Sequence, residues 1–213
     1  MKLMNLDFER IAHDTFRIAG SVVLYTDPFK VKKRDQPDVI LLSHEHNDHL
    51  SPDDLAKVLS SKAHIVASPL CREGLKGVKA GSIQYLKRGE STTVAGVEIE
   101  AVPAYNLTKF RSPGHPFHPK ESEGTGFIFK MDGTRVYYAG DTDRIPEMKN
   151  FRCDIALLPV SGTYVMTAEE AAEAAADIKP RIAVPMHYSA IVGTDADAEK
   201  FKSLVKNCQV EIV

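Results

Sequence analysis

Cysteine is scarce in this chain. Cys71, Cys153 and Cys208 are odd in number and far apart, and no C-x-x-C pair occurs. Neither a disulfide framework nor a zinc ribbon is therefore indicated. Long apolar runs are also missing, and the Met-Lys-Leu-Met-Asn start lacks the apolar stretch of a signal peptide. The expectation is a cytoplasmic protein with no membrane partner. An excess of one charge is absent too: 27 Lys and Arg against 29 Asp and Glu leave a formal net charge of −2. Bulk charge gives no reason to expect nucleic acid as a partner. There is no linker, short-period repeat or low-complexity segment. The 213 residues, 43% hydrophobic and 26% charged, suit one domain spanning 1–213 with a sizeable core.

Histidine, by contrast, is concentrated. Ser43-His44-Glu45-His46-Asn47-Asp48-His49-Leu50 places three imidazoles and the Asp48 carboxylate within six positions. Before it lies Asp38-Val39-Ile40-Leu41-Leu42, an apolar run of strand length bounded by Pro37. After it, Ser51-Pro52-Asp53-Asp54 reads as an N-cap, a first-position Pro and acid in a first helical turn. The cluster thus sits on a loop at the carboxyl end of a buried strand, where ligands collect in open α/β sheets. Imidazole and carboxylate are the usual ligands of borderline first-row metals. Four candidates on so tight a loop cannot easily face one ion. The spacing suggests two ions side by side, His44 and His46 on one, Asp48 and His49 on the other.

Further along, the pattern predicts a hairpin over 14–26, closed by Asp27-Pro28 with Asp27 extended as the residue before proline. A helix is expected near 52–60 and a short strand over 64–67, with His64 structural. A helical turn should start near Pro69, and strands should cover 83–86 and 93–102. Residues 103–125, with four prolines and two histidines, form the longest irregular segment, a length that usually signals function or disorder. Asp132-Gly133 is a two-residue hairpin turn between strands 126–131 and 134–138. Strands are expected over 154–159 and 181–187. A capping box at Thr167–Glu170 opens an Ala-rich helix to Ile178. A helix over about 195–206 and a strand over 210–213 complete the chain. Strands and helices mix, as two sheets or one mixed sheet covered by helices would require.

The stretch His44–His49 matches H-x-H-x-D-H, and with Asp27-Pro28, Pro103-Ala104-Tyr105-Asn106, Gly140-Asp141-Thr142 and Met186-His187-Tyr188 the chain resembles the metallo-β-lactamase superfamily. The wording is similar to its small stand-alone branch related to ascorbate-6-phosphate lactonase. That resemblance implies an α/β fold, an αββα sandwich of two mixed sheets packed face to face with helices outside. It also implies a metal cleft along one edge of the packed sheets. It adds Asp141 as a carboxylate bridging two ions and His187 as the last ligand of the second. The third His of the first ion departs from the commoner Gly-His-Thr loop, since Gly114-His115 is followed by Pro116. His118, 23 residues before Asp141, is preferred, with His115 the alternative. His13 is either structural or a substrate-side group facing the cleft. Asp27 is either a turn residue or an acceptor for the free N–H of a metal-bound His. Asp48 would orient a hydroxide, while Tyr105 and Asn106 would donate to a developing oxyanion. Lys109, Arg111 and Lys120 could meet an anionic substrate, though nearby Glu121 and Glu123 favour a solvated loop.

The expected activity is a dinuclear metal-dependent hydrolase acting on a small ester, lactone or phosphodiester. The expected ions are two divalent metals, zinc first, manganese or iron next. A non-hydrolytic metal protein, redox or sensing, is the alternative. The partner would be a small-molecule substrate, with homo-oligomerisation left open.

Overall fold

Leu41 and Leu42 show why the strand before the histidine loop is apolar throughout. A computed structural model of the chain describes residues 1–32 and 36–213, and in it each neighbour along that strand faces a different core. Val39 and Leu41 enter a core shared with Phe8, Phe16, Phe127 and Leu157, whereas Ile40 and Leu42 enter one shared with Leu55, Val58 and Ile65. A strand buried on both faces has no solvated side to mark with polar residues.

The first half forms a seven-stranded sheet whose strands follow chain order: β1 (Lys2–Leu3), β2 (Leu6–Ala12), β3 (Thr15–Ala19), β4 (Val23–Thr26), β5 (Val39–Leu42), β6 (His64–Ala67) and β7 (Ser82–Tyr85). β1 to β4 are antiparallel, and β4 to β7 are parallel. The predicted hairpin is β3–β4, while β2 carries a strand that the sequence reading did not mark. Helix α1 (Pro52–Val58) follows the histidine loop, capped by Ser51, whose side chain accepts from the Asp54 N–H. Its Leu55 and Val58 cover the outer face of this sheet.

Next come β8 (Ser91–Val94), β9 (Val97–Pro103), a small ribbon of β10 (Phe110–Ser112) and β11 (His115–Pro116), then β12 (Thr125–Met131), β13 (Thr134–Tyr138), β14 (Ile155–Pro159), β15 (Ile182–Met186) and β16 (Gln209–Val210). Apart from the ribbon these form a second seven-stranded sheet, ordered β16-β15-β14-β13-β12-β9-β8. It is parallel from β13 to β16 and antiparallel elsewhere. Helices α2 (Ala168–Ile178) and α3 (Asp195–Leu204) pack on its outer face against β14 and β15. The Thr167–Glu170 capping box is made in both directions, at 3.2 and 2.7 Å.

The two sheets share one core, so the architecture is the α/β sandwich of two mixed sheets that the sequence led one to expect. Two expectations need correcting. The last strand is only Gln209–Val210, because it is an edge paired to β15 alone. Residues 103–125 are not wholly irregular, since Gly114 at φ +79 closes the β10–β11 ribbon. Among the described residues no helix is long and apolar enough to cross a membrane.

Candidate metal centre

Strand carboxyl ends from both sheets meet at one edge of the sandwich. β4 delivers Asp27, β5 the loop His44–His49, β13 Asp141 and β15 His187; the turn between β2 and β3 adds His13 and Asp14. Asp141 reaches the junction because Gly140 turns at φ +61 against the first sheet. A Cβ there would lie 3.1 Å from Ser43 Cβ, so the two sheets could not close as tightly. His13, Asp27 and His187 all take left-handed φ values, +47, +33 and +60. For Asp27 this overturns the extended geometry expected before proline. Four donated hydrogen bonds to its carboxylate hold the strained turn.

The side chains divide into two pockets that share Asp141. In the outer pocket, His44, His46, His118 and Asp141 each offer an atom within 4.8 Å of the others. His118 Nε2 is 3.4 Å from Asp141 Oδ2, and His44 Nε2 is 4.0 Å from it. His46 Nδ1 is 3.1 Å from His44 Nε2 and 3.3 Å from His118 Nε2. In the inner pocket, His49 Nε2 and His187 Nε2 approach the other oxygen, Asp141 Oδ1, at 3.3 and 3.4 Å. Asp48 Oδ2 lies 3.7 Å from His49 Nε2 and 3.3 Å from His13 Nε2. His115 is exposed on the ribbon, so the structure brings His118 and not His115 to the cluster.

The hydrogen-bond network assigns the imidazole tautomers. Asp27 Oδ2 accepts from His49 Nδ1 at 2.7 Å, and Asn106 Oδ1 accepts from His118 Nδ1 at 2.9 Å. Ser43 Oγ donates its single proton to Asp27, so it accepts from His44 Nδ1 at 3.0 Å. Ser161 Oγ donates to the Thr163 carbonyl and accepts from His187 Nδ1 at 2.9 Å. In its neutral form each of these four rings therefore turns a bare Nε2 toward Asp141. The buried His49 Nε2, His187 Nε2 and Asp141 Oδ1 have no hydrogen-bond partner among the described residues. Lone pairs facing lone pairs in a dry site repel unless a proton or a metal cation lies between them. The donor set fits metal ions.

Electrostatics separate the pockets. Burial holds His44 well below the ordinary imidazole range and His118 at about 4, so both are neutral. Burial would lower His49 too, but Asp141, Asp27 and Asp14 outweigh it and raise it well above that range. His187 is raised against burial by Asp141 and Asp14. Asp48 is held at about 2, burial being overcome by the neighbouring His13 ring and the His49 charge.

Several residues sit differently from expectation. Tyr105 does not donate into the cleft; its hydroxyl is committed to Glu147 at 2.8 Å, with Lys120 Nζ 3.2 Å away. Asn106 is not an oxyanion donor. Its oxygen fixes His118, and its amide donates to Asp143 and to the Tyr164 carbonyl. Sequence reasoning missed Ser43, Asp14, Tyr138, Asp143 and Ser161. Ser43 lay beside the motif, and Asp143 two residues past Asp141. Tyr138 and Ser161 carried no local signal. Asp14 is fully buried with both carboxylate oxygens unpartnered among the described residues, and burial raises it.

Two clefts open on the outer pocket. One is lined by His44, His46, His118 and Asp141 with Leu70 and Phe117. The other, about 320 Å³, has His46, Asp48, His118 and Asp141 on its floor and Arg111, Phe117 and Tyr164 at its rim.

Residues 9–187 match the family described as beta-lactamase superfamily domain. The UPF0173 metal-dependent hydrolase of Pyrococcus abyssi is 37% identical over 92% of this chain and 90% of its own length. That of Methanoculleus marisnigri is 34% identical over 92% and 87%. A crystal structure from Parabacteroides distasonis superposes with a TM-score of 0.81 at 36% identity, covering 97% of this chain and 92% of that one.

Proposed function

The chain belongs to the beta-lactamase superfamily, among its UPF0173 metal-dependent hydrolases, and from that premise we propose a dinuclear hydrolase of small esters, lactones or phosphodiesters. The observation that carries the reading is Asp141, which turns one carboxylate oxygen to each pocket. His44, His46 and His118 with Asp141 Oδ2 would hold one ion. His49, His187 and Asp48 with Asp141 Oδ1 would hold the other. Nitrogen and carboxylate donors of this kind suit zinc, with manganese or iron as the other candidates. Bound there, two divalent ions would supply an acidified water and a Lewis acid for a carbonyl or phosphoryl oxygen.

The chain's own residues do the rest. Asp48 keeps its charge to about pH 2 and is a quarter exposed, so it can orient the attacking water from the cleft floor. His13, wholly buried, sets its Nε2 3.3 Å from Asp48 Oδ2 and supports that orientation. Asp27, Asn106, Ser43 and Ser161 hold the rings so that no rotamer freedom is lost when ions bind. His49 and His187 are sealed, so a substrate approaches over the outer pocket.

Elemental analysis of protein made without chelators should find two metals per chain. A screen of lactones, thioesters, phosphodiesters and phosphonates, with zinc, manganese and iron in turn, should find turnover. Metal-free protein after growth in zinc- and manganese-supplemented medium would sink the reading. A coloured, iron-loaded protein inert in that screen would favour the redox alternative.

A further inference from the structure

The loop between β9 and β12 carries three cations near the cleft, and two of them are already engaged. Lys109 Nζ lies 2.6 Å from Glu170 Oε2 and 3.5 Å from Asp143 Oδ1. Lys120 Nζ lies 3.3 Å from Glu147 Oε1 and bonds the Tyr105 hydroxyl. Arg111 has no carboxylate within ion-pair distance among the described residues; its guanidinium carbon sits 5.6 Å from the centre of the Phe117 ring. Of the three, only Arg111 lines the 320 Å³ cleft whose floor is Asp141, Asp48 and two histidines.

Its position is braced although its side chain is exposed. Asp143 Oδ2 accepts the backbone N–H groups of Leu107, Thr108 and Lys109, at 2.7, 2.6 and 3.3 Å, and so clamps the base of the ribbon. The Phe117 N–H closes the other side on the Lys109 carbonyl at 3.1 Å. Opposite stands Tyr164, at φ +69, a conformation a bulky residue avoids unless held. Asn106 holds its carbonyl, and its ring meets Phe117 edge-on at 4.6 Å. The rim is thus one permanent cation with five N–H donors beside two aromatic rings, and beyond them lies the metal centre.

We propose that Arg111 is the anion receptor of this active site. The substrates are small molecules bearing a carboxylate or phosphate, joined through a flat apolar segment to the bond that is cut. The apolar segment lies along Phe117 and Tyr164, the anion pairs with the guanidinium, and the scissile group reaches the floor. Carboxylate and phosphate share the bidentate geometry that a guanidinium matches. The proposal deepens the hydrolase reading and rests on it.

The test pairs Arg111→Gln and Arg111→Lys with the unaltered protein, metal content being checked in each. Titration calorimetry with phenyl phosphate and with benzoate, on metal-free and zinc-loaded protein, reads binding without turnover. Arg111→Gln should weaken binding about tenfold or more, and Arg111→Lys less. The probe that shows the loss identifies phosphate or carboxylate as the natural anion. In a kinetic arm, mono-4-nitrophenyl succinate should lose about tenfold in kcat/KM through a raised KM, while neutral 4-nitrophenyl butyrate stays unchanged. Equal binding of both probes by Arg111→Gln and the unaltered protein overturns the proposal. So does an equal change for both esters. If nothing in the hydrolase screen, these esters included, is cleaved but phenyl phosphate or benzoate binding still depends on Arg111, the hydrolase reading fails and the anion site stands. If both are cleaved without discrimination by Arg111→Gln, the anion site fails and the hydrolase reading stands.

Discussion

The outer and inner pockets share one carboxylate and are built from the same ring type, yet their surroundings are opposite. Around His44 and His118 the ring partners are neutral, a serine hydroxyl and an asparagine amide. Around His49 and His187 stand Asp14, Asp27 and Asp48 as well as Asp141. The first pair is neutral through burial, and the second is driven toward the protonated state by carboxylates. The difference teaches how one bridged site can divide its work. On the proposed reading, an ion in the inner pocket would be strongly compensated and sealed, which suits an anchor. An ion in the outer pocket would keep more of its charge and face the clefts, which suits a Lewis acid.

Removing the shared group should break the contrast outright. Asp141→Asn keeps the shape and loses the charge, so both ions should be lost together and hydrolysis abolished, with circular dichroism unchanged. A folded Asp141→Asn that keeps full activity would falsify the bridge. His118→Ala should instead cost the outer ion alone, while His115→Ala leaves metal content as it was. Loss of both ions in His118→Ala would mean that the pockets are not separable.

The ring partners sharpen the comparison at a smaller scale. Asp27→Asn should weaken zinc in the inner pocket by about 10–100-fold, and Asn106→Leu should do the same in the outer one. Equilibrium dialysis on each variant reads which ion leaves first. Identical loss patterns in the two would erase the distinction.

Acidity separates the pockets further. In the metal-free protein the raised His49 holds a proton at neutral pH, and zinc must displace it. Inner-pocket affinity should therefore fall as pH drops through and below the His49 value. His118 is neutral down to about pH 4, and burial lowers His44 as well, so neither gives up a proton to zinc at neutral pH. Zinc titration in weak buffer should show proton release in His118→Ala, which keeps only the inner pocket. The corresponding release should be smaller in His187→Ala, and equal release would sink the assignment.

The smallest effect belongs outside both pockets. Tyr105→Phe removes a hydroxyl committed to Glu147, so turnover should be unchanged and stability should drop by about 1 kcal/mol in urea unfolding. A collapse of kcat would return Tyr105 to the cleft.

Much of this was legible in the chain because its causes are local. Ligands one to five residues apart on one loop, Asp-Gly in a hairpin turn, a capping box and strands closing on Asp141 and His187 all depend on neighbours in sequence. Their geometry follows from backbone period and turn chemistry. That His118 enters the cluster while His115 stays on an exposed ribbon depended instead on where residues 103–125 cross the sheet edge. The same holds for Tyr105 turning to Glu147, for Asn106 serving His118, and for Asp27 collecting donors from the loop after β5 and from β13. Asp27 and Tyr138 are 111 residues apart, and no periodicity links them. The sequence alone determined which residues could bind metal and on which strand ends they sit. Only the packing of two sheets decided which oxygens and nitrogens meet, because a bond between distant residues is set by the relative placement of elements rather than by either one's local pattern.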